Sequence, residues 1–185
     1  RELKGVVSVA KEGITKINAS IDNLKKIQLA TNNDATVNST LNSMLKSLSF
    51  LHQSIADVHA TQNKIEDACV SYNFALDIRL QLLSNNNENS EEHADNVARI
   101  SQMALKLQTG YILQSKMAEA SKVGSKVLHS LNRLDIPINE RSLYFYCISL
   151  ISEEEYEKAS QVAQQWLAQT PNQLEALLQQ CQAEM

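Results

Sequence analysis

Glycine and proline are scarce in this chain, at four and two of 185 residues. That leaves little material for the tight turns of hairpins, sandwiches and barrels, and argues against a β-rich fold. Aromatic residues make up 5%. There is no excess of basic charge. The formal net charge is −4, which argues against a nucleic-acid binder, since those usually carry a basic face. No apolar run approaches the ~20 residues that span a bilayer. No signal-peptide pattern opens the chain. It begins at Arg1 rather than Met, which is read as the start of an excised piece of a longer protein.

Recognisable catalytic patterns are also missing. There is no G-x-x-x-x-G-K, G-x-G-x-x-G or G-x-S-x-G stretch. His52 and His59 stand seven apart on one helical face, whereas helical zinc ligands usually stand four apart. They are read as structural or surface histidines, with no metal and no cofactor. Cys69, Cys147 and Cys181 are odd in number, widely spaced and set in apolar helical contexts. They read as buried free thiols, which suits a reducing compartment and points to the cytoplasm. The sequons at Asn18 and Asn38 are read as chance matches.

What is present is helix-forming. Ala, Leu, Gln, Lys, Glu and Ser dominate, and 43% of residues are hydrophobic. Residues 2 to 30 read as one long helix with a heptad seam at Val7, Ala10, Ile14, Ile17, Ile21 and Leu24. The stretch TNNDAT (31 to 36) breaks it. A second run places Val37, Leu41, Met44, Leu48, Leu51, Ile55 and Val58 on one face. The two should form an antiparallel hairpin over 1 to 62. Further helices are expected at 65 to 83, from about 90 to 114, and at 116 to 133, 140 to 151, 154 to 169 and 172 to 184. Polar SNNNENSEE (84 to 92), with Ser90 as a cap, and LDIPINE (134 to 140) separate them. In SEEEYE (152 to 157), Ser152 is read as a helix cap, with Glu153, Glu154 and Glu155 in the first turn. The fold class is all-α, in a single domain of about eight helices.

The helices from 42 to 171 resemble tetratricopeptide repeats, a 34-residue helix–turn–helix unit with small residues at repeat positions 8 and 20. Ala68, Ala120 and Ala159 take position 20, at spacings of 52 and 39 residues. Position 8 then holds Ala56, Gln108 and Cys147, and position 24 holds Tyr72, Gly124 and Ala163. Gln108 and Gly124 depart from the pattern, as does Trp166 at position 27. DACVSYNFALDIRLQLL (67 to 83) is similar to the second repeat helix of kinesin light chains. INERSLYFYCISLISEEEYEKASQVAQQWLAQTPNQLEALLQQ resembles the last repeat of the mitochondrial fission adaptor family.

The resemblance implies about three irregular helix pairs after the hairpin, a capping helix at 172 to 185, and no catalysis. It implies a groove lined by the first helix of each pair. Its positions hold Phe50, Gln53, Asp57, Ala60 and Thr61, then Gln102, Leu105, Thr109, Ile112 and Leu113, then Arg141, Tyr144, Ile148, Ile151 and Ser152. The expected partner-binding residues are Gln53, Asp57, Gln102, Leu105, Thr109, Ile112, Arg141, Tyr144 and Ile148. The Lys and Asn clamp for a peptide carboxylate is missing, and Asp57 would repel such a ligand. An amphipathic helix or an extended peptide with apolar anchors fits better. Two other readings stand beside this scaffold. The heptad seams could drive homodimer assembly, or Lys116, Lys122, Lys126 and Arg133 could meet lipid headgroups. A solvated face is the plainer account of those cations.

Overall fold

The computed structural model describes residues 2–30, 34–85 and 90–170, with 178, 182 and 183 beyond them. Seven helices are found among these residues. They are α1 (Glu2–Ala30), α2 (Ala35–Thr61), α3 (Ile65–Asn85), α4 (Ser90–Leu113), α5 (Met117–Asn132), α6 (Glu140–Ser152) and α7 (Tyr156–Gln169). No strand occurs among the described residues. The closing helix expected after Pro171 falls almost entirely outside them, as do Cys181 and residues 86 to 89 of the polar 84 to 92 stretch, whose flanks belong to α3 and α4. The chain divides into two compact units, Arg1–Arg99 and Ile100–Met185, and the division falls inside α4.

In the first unit α1 and α2 run antiparallel. Gln28 bonds Asn38 beside the turn, and further along Gly13 lies against Leu51. Asp34 caps α2 by accepting from the Thr36 N–H at 2.7 Å. Part of the heptad seam packs inside this unit. Ile14, Ile17 and Ile21 of α1 join Leu41, Met44, Leu45 and Leu48 of α2 and Ile78 and Leu82 of α3 in one apolar cluster. Of the seam residues in this cluster, Ile21, Leu41 and Leu48 are buried, and Ile14, Ile17 and Met44 are partly buried.

α3 returns along α2, and polar atoms key the pair together. The buried Ser49 hydroxyl donates to the Ala75 carbonyl at 3.1 Å and accepts from Arg79 Nε at 3.1 Å. Asn96 of α4 donates to the Arg79 carbonyl at 3.3 Å and accepts from its guanidinium at 3.4 Å. Arg79 and Asn96 are both buried. Sequence pattern gave no sign of this network, which satisfies polar groups that would be costly if left unpaired.

In the second unit the root of the Tyr146 side chain of α6 lies against Gly124 of α5, and α7 packs on α6, with Ala159, Ala163 and Trp166 buried. The departures from the repeat pattern are resolved by neighbours. Where Gln108 replaces a small residue, its amide donates to the Ser142 carbonyl at 3.1 Å and accepts from the Ser142 hydroxyl at 2.7 Å. Where Gly124 replaces a bulky residue, the Tyr146 ring fills the space.

One turn recurs four times. Asn63, Ser115, Asp135 and Glu154 have φ of 59°, 57°, 55° and 61°. Each N–H reaches back three residues, and the next N–H reaches back five: Asn63 to Ala60 and Lys64 to His59, Ser115 to Ile112 and Lys116 to Tyr111, Asp135 to Asn132 and Ile136 to Leu131, Glu154 to Ile151 and Glu155 to Leu150. This is the Schellman end of a helix, with a left-handed residue where glycine is usual. The fourth turn corrects the reading of 152 to 157. Ser152 ends α6, Glu153 is its C-cap, and Glu155 sits at the N-cap of α7 without a side-chain cap bond. Of the acids, only Glu157 lies in the first turn of α7. The glutamates there form the turn rather than a capped helix start.

Candidate partner-binding surface

Three of these turns set the register of three helix pairs. Ala68, Ala120 and Ala159 each stand five residues beyond the left-handed residue, and each N–H closes the first helical turn onto Lys64, Lys116 or Glu155. All three alanines are buried, as are Ala56, Gln108 and Cys147 twelve residues before them. Cys147 Sγ lies 3.9 Å from the Ala159 carbonyl oxygen. A larger side chain at either site would push the helices apart. Burial lifts the Cys147 thiol to about 12, so at neutral pH it stays protonated.

The expected surface residues fall in both units, and each unit has its own geometry. In the second, Leu105, Thr109 and Ile112 form a stripe on α4, and Arg141, Tyr144 and Ile148 one on α6. The Gln108–Ser142 bonds join these two helices between the stripes. Gln102 and Arg141 are exposed, and Leu105, Ile112, Tyr144 and Ile148 are half-buried. Thr109 turns its hydroxyl to the Leu105 carbonyl at 2.8 Å. Tyr144 has a second duty, since its ring meets Trp166 edge-on at 6.3 Å and Phe145 at 5.6 Å. The Trp at an alanine position of the repeat is thus matched by an aromatic on the facing helix.

In the first unit Phe50 is exposed, and Gln53 is half-buried with its Oε1 unbonded among the described residues. Asp57 accepts a hydrogen bond from the Tyr72 hydroxyl. Burial, then the Asp57 carboxylate, pushes that phenol well above its usual range, so it stays the donor. Asp57 is therefore tied into the α2–α3 pair.

Among the described residues no group of three His, Cys, Asp or Glu side chains could hold a metal ion. No helix among them is long and apolar enough to cross a membrane. Lys122, Lys126 and Arg133 lie on the exposed side of α5, and Lys116 is half-buried at its start. Sequence reasoning missed the exposed apolar residues of α3. Val70 and Phe74 sit off the core face, on a second stripe of α3.

The fold defined by these pairs is that of a helical-repeat protein of tetratricopeptide type. Among solved structures the chain is similar to the C-terminal TPR-containing domain of a Plasmodium falciparum protein described as FK506-binding. The TM-score is 0.55 and the identity 19%, covering 77% of this chain and 90% of that one. At that identity the likeness speaks for the fold alone. No protein-family model matches the chain, and no curated protein matches it.

Proposed function

We propose that the chain is a non-catalytic protein-binding adaptor that holds an apolar-anchored segment of another protein, as an amphipathic helix or extended peptide, along α4 and α6. The carrying observation is the pair of half-buried apolar stripes, Leu105 with Ile112 and Tyr144 with Ile148, on two helices fixed side by side by the Gln108–Ser142 bonds. Half-buried apolar surface on rigid elements supplies anchor sites at little ordering cost. Gln102, Thr109 and Arg141 would bond the polar edge of the segment. Gln53 and Asp57, in the first unit, belong to a candidate surface of their own. Such an adaptor would work on the cytoplasmic side, as the reading of the cysteines as free thiols suggests. The homodimer reading has less of the seam to use, because Ile21, Leu41 and Leu48 are buried within the first unit.

Light scattering over a hundredfold concentration range comes first. A steady mass near 20.7 kDa is expected, and a mass that doubles would give the lead to assembly. A photo-crosslinker at Ile112 should then join a foreign chain, and Leu105→Ser with Ile148→Ser should abolish the product. Crosslinks only to a second copy, or products unchanged by those substitutions, would overturn the proposal.

A further inference from the structure

A second surface lies wholly in the first unit. A cleft of about 470 Å³ opens between α1 and α3, with His52, Ile55 and His59 of α2 as its floor. Ile14, on its α1 side, also packs against the apolar cluster of this unit. One wall is α1, with Ile14 and Lys11. The other wall is α3, whose outward stripe reads Asp67, Val70, Phe74, Asp77, at spacings of three, four and three. That spacing keeps all four on one helical face. Val70 and Phe74 are 52% and 54% exposed, and both aspartates are exposed. The Phe74 ring is already held in place, stacked on the His52 imidazole at 5.2 Å and 29°. An anchor fixed before binding loses little freedom when a ligand arrives.

We propose that this cleft docks an amphipathic helix of another protein whose contact face reads basic, apolar, apolar, basic at the same spacing. Two apolar residues of the occupant cover Val70 and Phe74, while its flanking Lys or Arg residues meet Asp67 and Asp77. The α3 stripe has the same pattern from either end, so the complement fits in either polarity. Lys11 is the one Lys or Arg lining the cleft among the described residues, and His59 of the floor stands 3.9 Å from the exposed Asp67. Lys11 stands on the opposite wall, so the occupant turns its basic edge to α3 and an uncharged or acidic edge to α1. The acidic balance of the whole chain, −4, favours approach of a basic segment. This surface is separate from the α4–α6 stripes, so either can fail without the other.

The test uses the full chain and two fluorescent, lactam-stapled helical peptides. One carries Lys-x-x-Leu-x-x-x-Leu-x-x-Lys, and its twin has Glu in place of both Lys. Two exposed ion pairs set against two repulsions amount to about tenfold in affinity at low salt, shrinking as salt is added. The Lys peptide should bind at least about tenfold tighter by anisotropy. Phe74→Ser should abolish binding with helicity unchanged, because Phe74 is half out of the protein. Asp67→Lys with Asp77→Lys should reverse the preference toward the Glu peptide. Equal affinities, binding of neither peptide, or a Phe74→Ser chain that binds normally would overturn the proposal. So would a doubled mass that Phe74→Ser returns to the monomer, since the occupant would then be a second copy.

Discussion

Gly124→Ala separates two opposing effects. In an ordinary helix interior this change is stabilising by about 1 kcal/mol, because alanine has less backbone freedom to lose. Here an added Cβ would lie 2.4 Å from Tyr146 Cγ, 2.5 Å from Cδ2 and 2.7 Å from Cβ. These are the root of a buried ring, not the tip of a flexible side chain, so the ring cannot swing clear. Overpacking of this kind costs about 3 kcal/mol at the upper end of its usual range. The net expectation is a loss of about 2 kcal/mol. Urea unfolding followed by the fluorescence of Trp166, the chain's one tryptophan, reads this unit directly, since Trp166 is buried on α7. Tyr146→Ala removes two of the three close contacts and keeps the third. In that background Gly124→Ala should cost less by roughly 1–2 kcal/mol. Gly5 has nothing within 4 Å of an added Cβ, so Gly5→Ala should not destabilise. A Gly124→Ala chain at least as stable as the parent would show that no ring sits on residue 124, and the explanation for glycine at that repeat position would fail.

Three of the left-handed turn residues should respond to glycine in a set order. Glu154→Gly and Ser115→Gly relieve a strained φ and should each stabilise by up to about 1 kcal/mol, while Asn63→Gly should gain less because asparagine tolerates that conformation. Thermal melting by circular dichroism would check the order, and a loss at Glu154 would contradict the turn geometry. Burial lowers the folded pKa of His52 below its ordinary 6.5. The unfolded chain therefore takes up that proton first as pH falls. The His52 contribution to stability is full above about 6.5 and is lost as pH drops through that value to the lower folded pKa. His52→Gln should flatten this part of the stability–pH curve measured by urea unfolding, and an unchanged slope would show that the imidazole is no harder to protonate in the fold.

Much of the secondary structure was legible because helices repeat their apolar residues about every 3.6 positions, and this chain has few residues that interrupt the pattern. The seam on α1 and its mate on α2 could be written down residue by residue. The three alanines marking the pairs were legible too, since close helix contact admits only small side chains. The ends of the helices were harder to see. Schellman turns usually carry glycine, and Asn63, Ser115, Asp135 and Glu154 carry none, so SEEEYE looked like a capped helix start. For the candidate surface, sequence supplied positions and residue types. It could not show that Tyr144 also packs on Trp166, that Asp57 is held by Tyr72, or that α3 turns Val70 and Phe74 outward.

Local periodicity thus determined that the chain is all-helical, where its helices run, and which small residues mark the pairs, because those features depend on neighbours within a turn or two. Tertiary structure alone decided what fills the places where the repeat pattern fails. Gln108 is accommodated by Ser142, Gly124 by Tyr146 and Trp166 by Tyr144, each partner more than twenty residues away. A departure from pattern is explained only by the atom that meets it in space, and no spacing along the chain encodes that meeting.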